Sequence, residues 1–260
     1  MKPKIINNAF CLGEIPHKGN EISIEFPGII LSTEKYEKTN ERYENIKNGI
    51  TRIPTPSENA SIFYDAWKNS KEKYALKTIE FLQNNKEQTR ILENMFVFYL
   101  FEKNNGIEEG VIFDKNPSFP NINYQNEFLE EDGLNHYNLV KDSLIEKLLK
   151  GDKEVTFVPK GFKEGKQSID QLLENPYMLA RYGSEGTKKI AKICENHKEL
   201  PQIEEFFSLE GKYNLDKDQM GIASIDCSFN GGLEFCTHDY REPGAFDDDC
   251  LTIKTLNMIK

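Results

Sequence analysis

This chain of 260 residues lacks a run of about 18 consecutive apolar residues, and its N-terminus lacks the apolar stretch of a secretion signal. Cys-x-x-C pairs are also missing, and an odd number of scattered cysteines excludes a disulfide framework or a zinc motif recognisable from spacing. The five cysteines are Cys11, Cys194, Cys227, Cys236 and Cys250. We therefore expect a cytoplasmic protein that is not bound to membranes and holds neither metal nor cofactor.

Blocks of basic residues are absent as well. The chain has 43 acidic residues against 33 basic ones, which leaves a formal net charge of −10. Nucleic-acid binding needs Lys and Arg clustered against the phosphates, so this balance argues against a nucleic-acid partner. A negative surface would instead attract a basic protein.

The short motifs of common enzymes are missing too. The chain contains no nucleophile elbow, P-loop, G-x-G-x-x-G segment or H-E-x-x-H motif. These motifs place a nucleophile, a phosphate cradle or metal ligands, so the sequence identifies no reaction. This absence favours a protein without catalytic activity.

Periodic patterns are present along most of the chain. Alternation in residues 21–31 predicts a strand, and helical spacing over 56–104, broken at Asn84 and Asn85, predicts two helices. The second helix would carry the segment MFVFYLF, which is apolar nearly all round and therefore typical of a helix buried on both sides. Further helical spacing predicts a helix over 136–151.

The remaining segments predict mixed structure. Residues 154–161 indicate a short strand, residues 168–197 indicate two shorter helices, and alternation from residue 203 onwards indicates an antiparallel sheet. The predicted fold class is α+β, with a helical middle and a C-terminal antiparallel β-sheet.

Three segments follow from these elements. Residues 1–104 form a strand plus a helical hairpin, and residues 105–200 form a helical insertion of unknown role. Residues 201–260 form the C-terminal sheet. We expect the sheet to make one compact unit with the N-terminal part.

The segment CSFNGGLEFCTH predicts a β-hairpin. A three-residue loop at 230–232 would set Asp226 opposite Cys236 and leave one face apolar and the other polar. A two-residue loop would set Cys227 opposite Cys236 and invite a disulfide, but it would mix the two faces. We therefore predict no disulfide, with Cys227 in the core and Cys236 on the polar face.

The polar face and the segment after it carry the chain's candidate site residues. A thiol two residues from an imidazole on one strand face could serve nucleophilic catalysis or metal binding. Zinc spacing, the spacing of a calcium loop and an oxyanion hole after the thiol are all missing, so we expect a solvated or partner-contacting surface. The candidate binding residues are Asp226, Cys236, His238, Asp239, Asp247, Asp248 and Asp249.

Two stretches of the chain carry a resemblance to a known family. Residues 52–102 contain IPTPSENASIF and the predicted helical run after it, and residues 200–249 contain LPQIEEFFSLEGKYNL followed by the Cys-containing hairpin. This order resembles a bacterial family of uncharacterised domains associated with toxin-immunity-like proteins. In that family the hairpin carries a Cys-x-Trp-Asp-x-Glu-His-Gly-like run. Cys227 matches its cysteine, Phe229 stands in place of the tryptophan, and residues 230–232 replace the acidic and histidine tip.

Three functions are compatible with these observations. The resemblance implies a non-catalytic cytoplasmic protein that binds and neutralises a protein toxin, with a basic toxin domain as partner. An alternative is a small hydrolase or nucleotide-modifying enzyme that uses the Cys236 and His238 face. A second alternative is an adaptor or structural subunit.

Overall fold

The structure of this chain is a computed structural model. The described residues are 5–6, 9–17, 20–26, 51–52, 54–71, 89–103, 106–117, 130–196, 199–205, 207, 219–227, 232–239, 250–251 and 254–256. The helices are α1 (Pro56–Lys68), α2 (Glu130–Leu149), α3 (Ile169–Glu174) and α4 (Pro176–Cys194). The strands are β1 (Ile5–Ile6), β2 (Ala9–His17), β3 (Asn20–Phe26), β4 (Thr51–Arg52), β5 (Thr89–Leu100), β6 (Gly110–Asp114), β7 (Val155–Pro159), β8 (Gly165–Lys166), β9 (Gln202–Ile203), β10 (Gln219–Cys227), β11 (Leu233–Asp239), β12 (Cys250–Leu251) and β13 (Lys254–Leu256).

The strands of the described residues form two sheets. The larger has the order β7-β6-β5-β10-β11-β9-β8, with β12 paired to β5, and the smaller has the order β1-β2-β3-β13-β4. Pairing is antiparallel except between β11 and β9 and between β12 and β5. Helices and largely antiparallel sheets together confirm the α+β fold class. None of the described helices is long and apolar enough to span a membrane.

The segment MFVFYLF is a central strand, so the prediction of a second helix after Asn85 is wrong over residues 89–100. This strand, β5, pairs with β10 on one edge and with β6 on the other. Its side chains alternate between two cores, because Val97 and Tyr99 belong to one hydrophobic cluster and Phe96 and Phe98 to another. A strand covered on both faces is apolar throughout, as a doubly buried helix also is.

Helices cover both faces of the large sheet. On one face α1 and α4 pack over Val97, Tyr99 and Phe235, and on the other α2 packs over Phe96 and Phe98. The segment predicted as a helical insertion, 105–200, also contributes β6, β7 and β8 to this sheet. Strands from all three predicted segments therefore pair in one sheet.

The starts of α1, α3 and α4 follow from capping residues. Thr55 caps α1 and accepts from the Glu58 amide, while the Glu58 carboxylate accepts from the Thr55 amide at 2.8 Å. Ser168 and Gln171 form the same reciprocal pair at α3. Such a box satisfies amides that the first helical turn leaves without partners.

Helix α4 is kinked at Gly183, whose φ of 69° and ψ of 168° fall in a region that is essentially limited to glycine. The Thr187 hydroxyl donates to the Gly183 carbonyl at 2.8 Å and lies 3.1 Å from the Met178 carbonyl. These contacts link the two halves of the helix. The kink immediately follows Arg181 and Tyr182, which point into the core.

Candidate functional site

The β10–β11 hairpin has the predicted faces but not the predicted register. Asp226 pairs with Glu234 rather than with Cys236, and Cys236 pairs with Ser224. The register is therefore shifted by two residues relative to the three-residue loop. Because side chains alternate with a period of two, this shift leaves every residue on its predicted face, which is why the alternating pattern could not detect it.

The two hairpin cysteines do not face each other. Cys227 pairs with Leu233, and Cys236 is a buried thiol that forms no disulfide. The prediction that no disulfide joins them is confirmed. The side chain of Cys227 lies outside the described residues, so its place in the core stays a prediction.

We call the polar side of β9, β10 and β11 the acidic face, defined by Gln202, Glu204, Ser224, Asp226, Glu234 and Cys236. Its floor is buried: Ser224, Asp226 and Cys236 are exposed by 0%, 3% and 5%. Its rim, consisting of the other three residues, is partly exposed. The expectation of a solvated surface is therefore wrong for Asp226 and Cys236, which a partner could not reach directly.

Carboxylates dominate the acidic face. Asp226 and Glu234 are directly opposite each other on neighbouring strands, an arrangement in which like charges destabilise a sheet. Glu204 continues β9 on the same side, and its carboxylate oxygen Oε2 accepts from the Thr237 amide at 2.7 Å. The register also sets Arg90 of β5 opposite Asp226.

Glu204 titrates abnormally in this setting. Burial, aided by the charges of Glu234 and Asp226, raises its pKa to about 8, although the Thr237 amide and Arg181 act in the opposite direction. The residue therefore holds a proton at neutral pH. Strongly shifted pKa values are common at functional sites, which makes Glu204 a candidate that the sequence analysis missed.

The Cys236 thiol is unsuited to nucleophilic attack. Burial raises its pKa well above the usual range, and Asp226 and Glu204 raise it further. Its Sγ lies 3.2 Å from the Ser224 hydroxyl, which in turn lies 3.3 Å from a carboxylate oxygen of Asp226. Because the nucleophile in cysteine chemistry is the thiolate, this environment opposes catalysis.

The opposite face of the hairpin carries a buried ion pair. The Arg181 Nε donates to a carboxylate oxygen of Glu93 at 2.7 Å, and both side chains have no exposed surface. Other guanidinium nitrogens donate to the carbonyls of Ser224 and Cys236 at 2.6 and 3.3 Å. Arg181 thus ties helix α4 to both hairpin strands.

Glu93 reaches Arg181 from an irregular part of the sheet. The pairing of β5 and β10 shifts between Ile222 and Ser224, and Glu93 lies within this bulge. Burial raises the pKa of Glu93, and hydrogen bonds from Arg181, Tyr182 and Asn59 oppose that shift. Burial lowers the pKa of Arg181, but the charge of Glu93 raises it by more, so the guanidinium stays charged.

Two buried tyrosines, Tyr177 and Tyr182, contact the ion pair, and a third, Tyr99, contacts Tyr177. The Tyr182 hydroxyl donates to Glu93 at 3.2 Å, and the Tyr99 hydroxyl donates to the Tyr177 hydroxyl at 3.3 Å. Burial raises the pKa of all three phenols, so they remain neutral. The cluster is fully enclosed and therefore serves packing rather than chemistry on a ligand.

A shallow depression of about 520 Å³ lies beside β7, α3 and the start of α4. Its polar lining is already used within the protein. The Lys163 amine donates to Gln171 at 2.5 Å, and the Asn175 amide donates to the Lys163 carbonyl at 2.8 Å. These bonds join loops and leave the depression without a convergent set of polar groups.

The other predicted site residues are only partly described. His238 and Asp239 belong to β11 and pair with Ile222 and Gly221, but nothing further is described of their side chains. The aspartates at 247–249 lie outside the described residues. Within the described part of the chain, no three His, Cys, Asp or Glu side chains converge in a way that could hold a metal ion.

No protein family, curated protein or solved structure matches this chain. The resemblance to toxin-immunity-like proteins stays a prediction from the residues quoted above.

Proposed function

We propose that this chain is a non-catalytic binding protein whose acidic face takes a basic protein partner. The specific role we propose is immunity-like: the chain binds a protein toxin and neutralises it. The observation that carries the proposal is the acidic side of β10 and β11, where Asp226 lies directly opposite Glu234.

A basic partner would be attracted to the negative charge of this face. Glu234 on the rim is partly exposed, so a Lys or Arg side chain of a partner could approach it, while buried Asp226 would act through its field. The net charge of −10 would also speed the encounter with a basic protein, since electrostatic attraction mainly raises association rates.

The experiment uses the product of the neighbouring gene as the probe. Co-expression with this chain should restore the growth of cells that the product poisons, and the purified pair should form a complex whose association slows as salt rises. A neighbouring product that is not toxic, or that forms no complex with the chain, would contradict the immunity-like role.

The acidic face is tested by charge removal. Glu234→Gln removes one charge from the rim and should slow association by about 3-fold or more at low salt and weaken its salt dependence. The matched control, Asp170→Asn, removes the same charge from an exposed helix position and should have a much smaller effect. Equal effects of the two variants would show that only net charge matters and would remove the acidic face from the interface.

The enzymatic alternative predicts a reactive thiol. A catalytic Cys236 would be modified rapidly by iodoacetamide at neutral pH, whereas a buried thiol with a raised pKa should react at least about 100-fold more slowly than free cysteine. Rapid, selective modification of Cys236 in the folded protein would favour the enzyme.

A further inference from the structure

The attachment of β9 to the sheet depends on a side chain. The strand contains only Gln202 and Ile203, yet it joins β8 to β11 and thereby completes one edge of the sheet. The Glu204 amide donates to the Phe235 carbonyl at 3.0 Å, which continues the parallel ladder by one bond.

The next bond of that ladder is made by a carboxyl group. In a continued parallel strand, the Thr237 amide would donate to a backbone carbonyl of β9. Here it donates to Oε2 of the Glu204 side chain at 2.7 Å instead. We call this arrangement, formed by Gln202–Glu204 against Phe235 and Thr237, the β9 clasp.

Several ionisable groups act on the carboxyl group of the clasp. Glu234 of β11 and Asp226 of β10 repel its negative form, and Arg181 of α4 attracts it. Glu204 in turn interacts with the phenols of Tyr99 on β5 and Tyr177 on α4, and with the Cys236 thiol on β11. Partial burial of Glu204 and its negative neighbours favour the neutral carboxyl group as long as the clasp is closed, and they outweigh the opposing effect of the Thr237 amide.

We propose that the β9 clasp is a proton-dependent latch: the closed form holds one proton on Glu204, and opening of β9 releases that proton to solvent. Opening would detach β8 from the sheet with β9 and uncover Ile203, which is fully buried when the clasp is closed. The proposal concerns the chain by itself and needs no partner.

The direction of the pH dependence follows from the two states. The pKa of Glu204 is about 8 in the closed form, compared with 4.5 for an unperturbed glutamate. A raised pKa stabilises the closed form fully below 4.5, and that stabilisation is lost as the pH rises towards 8. Across this window the opening equilibrium should increase by up to about 10-fold per pH unit and then level off.

Hydrogen exchange of the backbone tests the latch. Protection of the amides in 202–205 and 233–237 is measured between pH 5.5 and 8.5 and corrected for the intrinsic pH dependence of exchange. We expect the corrected protection of the wild type to fall by up to about 10-fold per pH unit below pH 8. In Glu204→Gln, which keeps an acceptor for the Thr237 amide, it should be independent of pH.

Glu164→Gln is the matched control. Glu164 also accepts a backbone amide, that of Phe207, at 2.8 Å, so its replacement should leave the pH dependence of β9 protection unchanged. Glu234→Gln gives a second route if Glu204→Gln fails to fold, because loss of one repelling charge should shift the window to lower pH. A wild type without excess pH dependence, or a Glu204→Gln variant that retains it, would overturn the proposal.

Discussion

The two faces of the β10–β11 hairpin accommodate buried charge in different ways. On the face toward α4, the carboxylate of Glu93 is matched by the guanidinium of Arg181 at 2.7 Å. On the acidic face, Asp226 lies opposite Glu234, and Glu204 remains protonated up to about pH 8. A carboxyl group in surroundings of low polarity can thus be neutralised by a neighbouring cation, as on one side of this sheet, or by a proton, as on the other.

The two faces should therefore differ in how they respond to mutation and to solvent. An enclosed ion pair leaves an unpaired charge when one partner is removed, so it is sensitive to mutation and insensitive to solvent. A protonated carboxyl group at a partly exposed rim can instead respond to pH or to a positively charged partner. We therefore expect variants of the first face to change folding and variants of the second to change titration or binding.

The largest effect should come from breaking the ion pair. Arg181→Met leaves Glu93 buried without its cation and removes donors to two hairpin carbonyls, so the free energy of unfolding should fall by about 3–5 kcal/mol. Urea unfolding followed by circular dichroism gives this value.

Two further variants sharpen the result. The double variant Arg181→Met with Glu93→Leu should recover much of the loss, because no unpaired charge remains. Lys188→Met, which breaks an exposed ion pair on the same helix, should leave the midpoint nearly unchanged. If Arg181→Met unfolds at the urea concentration of the wild type, the cluster does not hold α4 to the sheet.

An intermediate effect is expected from the kink that presents Arg181 to the sheet. Gly183→Ala meets no steric barrier but forces alanine into a conformation that favours glycine, so the free energy of unfolding should fall by about 1–3 kcal/mol. Thermal unfolding measures it, with Ser184→Ala as the control. A variant as stable as the wild type would show that the kink relaxes without moving Arg181.

The smallest effect should appear on the acidic face as a change in titration. Asp226→Asn keeps an acceptor for the Ser224 hydroxyl but removes a charge that raises the pKa of Glu204, so Glu204 should titrate below pH 8. Carbon-detected NMR of labelled glutamate follows this directly. An unchanged titration midpoint would mean that Asp226 does not act on the clasp.

The sequence predicted part of the candidate site. Alternation in the hairpin placed Ser224, Asp226 and Cys236 on one face, as the structure has them. The same alternation also places Glu234 on this face, although Glu234 was not among the predicted site residues. Glu204 gave no local signal, because its place on the acidic face depends on parallel pairing between β9 and β11, which are about 30 residues apart.

Glu93 and Arg181 were also missed. Each is a lone charged residue in an apolar segment, and such a residue indicates either a buried partner or an error in the assignment of the segment. Nothing in either segment identifies the other, since the two residues meet only when α4 packs on β5.

Local chemistry in the sequence by itself determined the start of α1 at its proline, the two faces of the hairpin and the α+β class. These features depend on a cap, on a period of two and on the overall mixture of periodicities. Tertiary structure alone decided that MFVFYLF is a strand and that the hairpin pairs Asp226 with Glu234. A segment that is apolar on all sides can be buried as a helix or as a strand, and only the hydrogen bonds from neighbouring strands decide between them. A register shift of two residues keeps each side chain on the same face of the hairpin but changes the residue opposite it.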